Sequence, residues 1–406
     1  MNSPAPSVAA PSERPSALAV LLVFLRLGLT SFGGPVAHLG YFRAEFVQRR
    51  RWLDDRGFTD LVALCQFLPG PSSSQVGIAI GMLRAGWLGS LAAWLGFTLP
   101  SALLMTGVAY GLAGHAQLAQ SGVVHGLKLA AVAVVAQAVW GMARSLCPDR
   151  PRAGLAIGAA LLTLALPGWI GQVAAIALSA AAGLGWLRPE GEPAAAHQAF
   201  GVSRRAGAVL LSIFGLLLAG LPLLAAALRS PVLHLVDGVF RAGSLVFGGG
   251  HVVLPLLEAV VVPSGAVSNA DFLAGYGAAQ ALPGPLFAFA AFLGASMHAA
   301  LTGWLGAVVF LLAIFVPAWL LVLGALPFWD SLRQRARVRS AMAGVNAGVV
   351  GVLLSALYDP VWTSAVHTRG DFALALAAFG LPVTARVSPF IVVALVAAAG
   401  ALLATG

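Results

Sequence analysis

The chain has 406 residues, of which 59% are hydrophobic and only 9% charged, and its mean hydropathy is +0.91. Soluble chains are about 25% charged, so a water-soluble globular domain is excluded and the sequence reads as an all-α polytopic membrane protein whose first partner is the lipid bilayer. The formal charge of +9 sits almost entirely in short loops, as membrane orientation requires, and implies no nucleic-acid partner.

Residues 1–15 are rich in Pro, Ser and Ala and read as a cytoplasmic N-terminal tail without an evident cleavable signal peptide. Residues 16–187 form a first transporter repeat. It opens with an apolar segment, 17–46, that carries Arg26 and is broken at Gly33-Gly34-Pro35. A loop crowded with Arg43, Arg49, Arg50, Arg51 and Arg56 follows. The next segment, 58–83, is broken at Pro69-Gly70-Pro71, with Gln66 before the break and Ser72-Ser73-Ser74 after it. Residues 87–112 are long enough to span, and the loop at 113–124 has no Lys or Arg. The span at 123–139 holds Lys128, the only lysine. Residues 188–230 comprise a flexible linker and an unpaired spanning helix, and residues 231–406 a second repeat.

The second repeat restates the first. Arg26 returns as Arg241, and Phe32-Gly33-Gly34 as Phe247-Gly248-Gly249. Gln66 with Leu68-Pro69-Gly70-Pro71 returns as Gln280 with Leu282-Pro283-Gly284-Pro285, Gly86-Trp87-Leu88-Gly89 as Gly303-Trp304-Leu305-Gly306, and Pro100 as Pro317. The loop charges are reversed between the copies. The loop at 256–271 carries Glu258 and Asp271 without a cation, whereas that at 328–340 carries Arg333, Arg335, Arg337 and Arg339. By the positive-inside rule the repeats have inverted topology, and the extra helix between them supplies the inversion. Counting crossings between the arginine-rich and arginine-free loops predicts re-entrant or kinked hairpins at the segments broken at Gly-Gly and at Pro-Gly-Pro, the alternative being a full span with one loop on the unexpected side.

Paired breaks of this kind point to a transporter's binding site. A Pro-Gly-Pro break stops one helix and starts another, whose free N–H groups and positive dipole end suit an anion. The candidate binding residues are therefore Gly33, Gly34, Gln66, Pro69, Gly70, Pro71, Ser72 and Ser73, with Gly248, Gly249, Gln280, Pro283, Gly284 and Pro285 in the second copy. Arg26 and Arg241 are candidates for charge compensation, their alternative being interfacial snorkelling. Lys128 is a further candidate, opposite Asn346 in the second copy. His38 and His251 follow the Gly-Gly blocks out of register and are candidate proton relays. Leu286-Phe287-Ala288 replaces the three serines, so an asymmetric site is expected. No zinc pattern, phosphate-cradling loop or nucleophile elbow is present, so no cofactor, metal or catalytic residue is expected, and transport would run on gradients or membrane potential.

These motifs, Phe32-Gly33-Gly34-Pro35, Gln66-Phe67-Leu68-Pro69-Gly70-Pro71, Gly86-Trp87-Leu88-Gly89 and their second copies, resemble the chromate ion transporter family in its long, two-domain form. The resemblance implies a secondary transporter of the bacterial inner membrane that exports chromate, a divalent tetrahedral oxyanion, and confers chromate resistance. Sulfate, alike in charge and shape, is an alternative substrate, an anion channel an alternative mechanism, and a second copy of the chain a candidate partner.

Overall fold

The computed structural model describes residues 15–32, 34–113, 122–166, 169–187, 201–246, 253–297, 301–363, 365–385, 387 and 389–403. The expectations that fall on Gly33, Gly248, Gly249, His251 and residues 1–14 and 188–200 lie outside the described residues.

The first segment begins at α1 (Ala17–Thr30), where the Ser16 hydroxyl accepts the Ala19 N–H. Val20, Val23, Phe24, Leu27 and Gly28 form its buried stripe. After the break α2 (Gly34–Phe42) runs on into a π-helical turn at Arg43–Arg49, so the first part of the expected arginine loop is helical. Phe24 stacks on Phe46 there, and Phe42 meets both rings edge-on. Glu45 accepts from Arg50 at 2.6 Å and from Arg49 at 3.0 Å. The second segment is α3 (Asp55–Phe67), capped by Asp54, followed by α4 (Ser72–Ala113), which kinks at Ala85-Gly86.

Then come α5 (Gly122–Leu146), α6 (Arg150–Ala165) and α7 (Trp169–Trp186). The unpaired helix is α8 (Arg204–Leu228). The second half follows as α9 (Pro231–Leu245), α10 (Val253–Val261) and α11 (Asn269–Ala281), then a 3-10 turn at Leu286–Ala288 leading into α12 (Phe289–Ser296). It continues with α13 (Gly303–Ala325), α14 (Trp329–Arg333), α15 (Ala336–Ala356), α16 (Arg369–Ala385) and α17 (Pro389–Leu403).

The repeat is visible in the backbone. At the matched bends Gly86 has φ 63° and Gly303 φ 64°, a left-handed conformation that glycine adopts without strain. The helices α1 and α3 have 14 and 13 residues. At 1.5 Å per residue each reaches about 20 Å, short of a bilayer core of about 30 Å. Neither is long enough to cross alone, whereas α4, α5, α8, α13 and α15 are long and apolar enough to cross.

The halves are interwoven. In each, the first helix packs on the long one, α1 on α4 and α9 on α13. The later helices exchange partners: α5 lies against α16 and α17 of the second half, and α15 against α6 and α7 of the first. Glycines permit the approach, Gly126 meeting the backbone at Val396-Ala397 and Gly344 meeting Ser179 and Gly183. On the same seam His125 of α5 lies 2.6 Å from Asp371 of α16.

The helix α8 has only Gly207 and Ala225 fully buried and packs on α13 and α9. Its Pro222 cannot donate to the Leu218 carbonyl. Arg241 donates to that carbonyl at 2.9 Å and contacts both Asp237 carboxylate oxygens, at 2.9 and 3.0 Å. Replacing Arg241 with Met strands a buried carboxylate and a bare carbonyl, a loss on the order of 3 kcal/mol. The expected outcome is a clear fall in the melting temperature of the detergent-purified protein, partly restored when Asp237→Asn is added.

Candidate functional site

The two Pro-Gly-Pro tips meet the opposite half's first break. The Gly70 N–H donates to the Val246 carbonyl at 2.6 Å, and the Gly284 N–H donates to the Ser31 carbonyl at 2.9 Å. Val246 closes α9 as Ser31 closes α1, so the two bonds are counterparts. Both tip glycines hold positive φ, 124° and 96°. A Cβ on Gly70 would lie 3.3 Å from the Ala318 Cβ, and one on Gly284 3.0 Å from the Ser101 Cβ. Ala318 and Ser101 each follow the matched helix prolines, Pro317 and Pro100.

Polarity breaks the symmetry. At the first tip the first turn of α4 is Ser72, Ser73, Ser74 and Gln75, all buried. Gln75 donates from Nε2 to the Pro69 carbonyl at 2.8 Å, bracing the loop. The Ser73 Oγ lies 3.3 Å from the His38 Nδ1, and the His38 ring packs edge-on to Phe97 with centroids 5.2 Å apart. Ser31 Oγ, His38 Nε2, Ser74 Oγ, Gln75 Oε1 and Thr98 Oγ1 are buried without a hydrogen-bond partner. In membrane interiors such groups are tolerated where they line a cavity or meet a ligand. The matched second-half positions are Val246, Val253, Leu286, Phe287, Ala288, Phe289, Phe315 and Ala318, which stand opposite Ser31, His38, Ser72, Ser73, Ser74, Gln75, Thr98 and Ser101. Each polar group of the first half faces an apolar one.

The expected site residues therefore divide. Pro69, Gly70, Pro71, Ser72 and Ser73 are brought together at the first tip, and Pro283, Gly284 and Pro285 form the second, which abuts Ser31. Gly34, with φ 75°, begins α2. Gln66 is exposed on α3, and Gln280 is half-buried with an unpartnered Nε2. Arg26 is exposed, on the face of α1 opposite its buried stripe, and Arg241 is engaged by Asp237 and Leu218. Neither guanidinium joins the cluster, so the charge compensation expected of this pair finds no support in its placement. A helix face, not a sequence position, decides what a side chain meets. Lys128 lies half-buried on α5. A separate cavity of about 260 Å³ is lined by residues including Gln172 and the carboxylates Glu258 and Asp359, which do not suit an anion.

Sequence reasoning missed Ser31, Gln75, Thr98 and Ser101 as members of the cluster. Position-by-position comparison of the two copies carries the signal, since a polar residue opposite an apolar one marks each. Gly70→Val sets a β-branched side chain at φ 124° and against Gln75 Nε2. A strain on the order of 1–3 kcal/mol is expected, read as a lowered melting temperature. Ser101→Ala, which copies the second half, leaves stability within about 0.5 kcal/mol.

The chromate transporter family model matches residues 18–186 and 233–402, one copy in each half. A chromate transport protein of Pseudomonas aeruginosa is 30% identical over 355 residues, 83% of this chain and 79% of that protein. One from Cupriavidus metallidurans is 27% identical over 88% of this chain and 87% of its own length, and a probable chromate transport protein of Synechococcus elongatus is 26% identical over 82% of each. No solved structure matches. The inverted broken-helix repeats, and a family match that falls once on each of them, make this chain a multi-pass membrane protein of the chromate transporter family.

Proposed function

We propose that the protein transports chromate out of the cytoplasm, confers chromate resistance, and binds the oxyanion at the first Pro-Gly-Pro tip. The observation that carries this reading is the first turn of α4, buried in the protein and surrounded by polar side-chain atoms without partners. The free N–H groups of a helix start, its dipole and serine hydroxyls are complementary to a tetrahedral oxyanion. The names of the relatives support chromate as the ion. A negative-inside potential favours exit by about 2.3 kcal/mol per charge per 100 mV, so export needs no nucleotide hydrolysis. Sulfate shares the geometry and is the competing substrate.

Reconstitution into liposomes tests the reading. Inside-out oriented protein is expected to accumulate chromate in the lumen against its gradient when a second ion or a potential is supplied; purely downhill flux would make the protein a channel. Ser73→Ala with Ser74→Ala removes two hydroxyls that would donate to a charged ligand, each worth about 1.5–3 kcal/mol. Chromate affinity should then fall at least tenfold, while Arg26→Gln changes it little. The reverse pattern would move the site to α1.

A further inference from the structure

We propose that His38 takes up one proton together with the oxyanion, so that the pocket holds an oxyanion–proton pair and favours oxyanions that protonate near neutral pH, as chromate does, over sulfate. This rests on the reading of the first tip as the oxyanion cradle.

The charge inventory leads to it. His38 is 1% exposed and the Ser31 backbone lies beside its ring; Nε2 makes no hydrogen bond of good geometry, while Nδ1 is held 3.3 Å from the Ser73 hydroxyl. Its helix, α2, packs against α4 and the π-helical turn. The only charged residue of α4 is Arg84, which lies over the Trp52 ring at 5.4 Å. On the π-helical turn, Arg49 pairs with Glu45, and Arg43 with Asp55 at the start of α3. Asp60 of α3 accepts the Trp329 indole N–H at 3.2 Å. Arg26 of α1, whose Phe24 meets Phe42 of α2 edge-on, is exposed. Among the described residues no charged side chain bonds to His38, Ser31, Ser73, Ser74, Gln75 or Thr98.

A dianion in such a pocket meets neutral hydroxyls and a helix end worth about half a charge. Most of its charge would be buried uncompensated, which is costly in a low-dielectric interior. A single proton shared between His38 Nε2 and an oxyanion oxygen supplies a full unit. It can rest on the imidazole, giving an imidazolium against a dianion. It can also rest on the ion, giving a neutral imidazole against a monoanion, an arrangement that avoids burying two opposed charges. Chromate accepts a proton near neutrality and has both arrangements; sulfate accepts one only in strong acid and has the first alone. The second half offers Val253 where the first has His38, so the stoichiometry is one proton per ion, and the pair carries one net negative charge across the membrane.

Titration calorimetry of the purified full-length protein in buffers of different ionisation heat reads the protons taken up per ion bound. The pH should lie above both the ordinary histidine range and the protonation of free chromate. About one proton per chromate is expected. His38→Gln should abolish that uptake, weaken chromate by at least about tenfold, and weaken sulfate less, narrowing the preference between them. Should that variant not fold, the wild-type proton count and its chromate-to-sulfate affinity ratio decide. Chromate binding without proton uptake overturns the proposal, as does uptake that persists in His38→Gln. Failure of the cradle reading looks different, as chromate binding indifferent to Ser73→Ala with Ser74→Ala.

Discussion

A helix that ends inside a bilayer must find partners for its last carbonyls and its successor's first N–H groups, and the rest of this structure follows from how four such ends are satisfied. The break after α1 accepts from Gly284, and the break after α9 accepts from Gly70. Each half thus supplies one backbone donor to the other's break. The exchange of α5 and α15 between halves extends the same dependence to the outer helices. A chain built this way cannot be divided into two self-sufficient domains, although its sequence is a duplication.

Duplication also allows division of labour. Two identical copies would give two identical tips. Here one tip has kept or acquired Ser31, His38, Ser73, Ser74, Gln75 and Thr98, while the other has filled with Val, Leu and Phe. The apolar copy makes good packing, with Phe287, Phe289 and Phe292 fully or almost fully buried. The polar copy leaves donors and acceptors unpaired, which packing alone would not favour. That contrast within one chain is the ground on which the first tip is proposed as the site and the second as scaffold.

Much of this was legible in one dimension. The repeat, its inversion, the positions of the breaks and the asymmetry of the serines all follow from glycine, proline and arginine placement, because those residues act through the local backbone or through the membrane's own charge asymmetry. The arginines inside the broken segments were less transparent. Arg26 and Arg241 occupy matched positions, yet one points away from the packed face and the other serves the Leu218 carbonyl, freed by Pro222 on the preceding helix. Gln66, next to the break, is exposed, while Gln75, further away in sequence, braces it.

The sequence alone determined an all-helical membrane protein with two oppositely inserted, broken repeats, since hydrophobic length, helix-breaking residues and loop charge are properties of a segment and its solvent. Only the tertiary structure decided that each tip docks on the other half's break and that His38, Ser31, Phe97 and the α4 start converge there. Those groups come from three separate helices, and which of their faces meet depends on packing between helices, which no local pattern encodes.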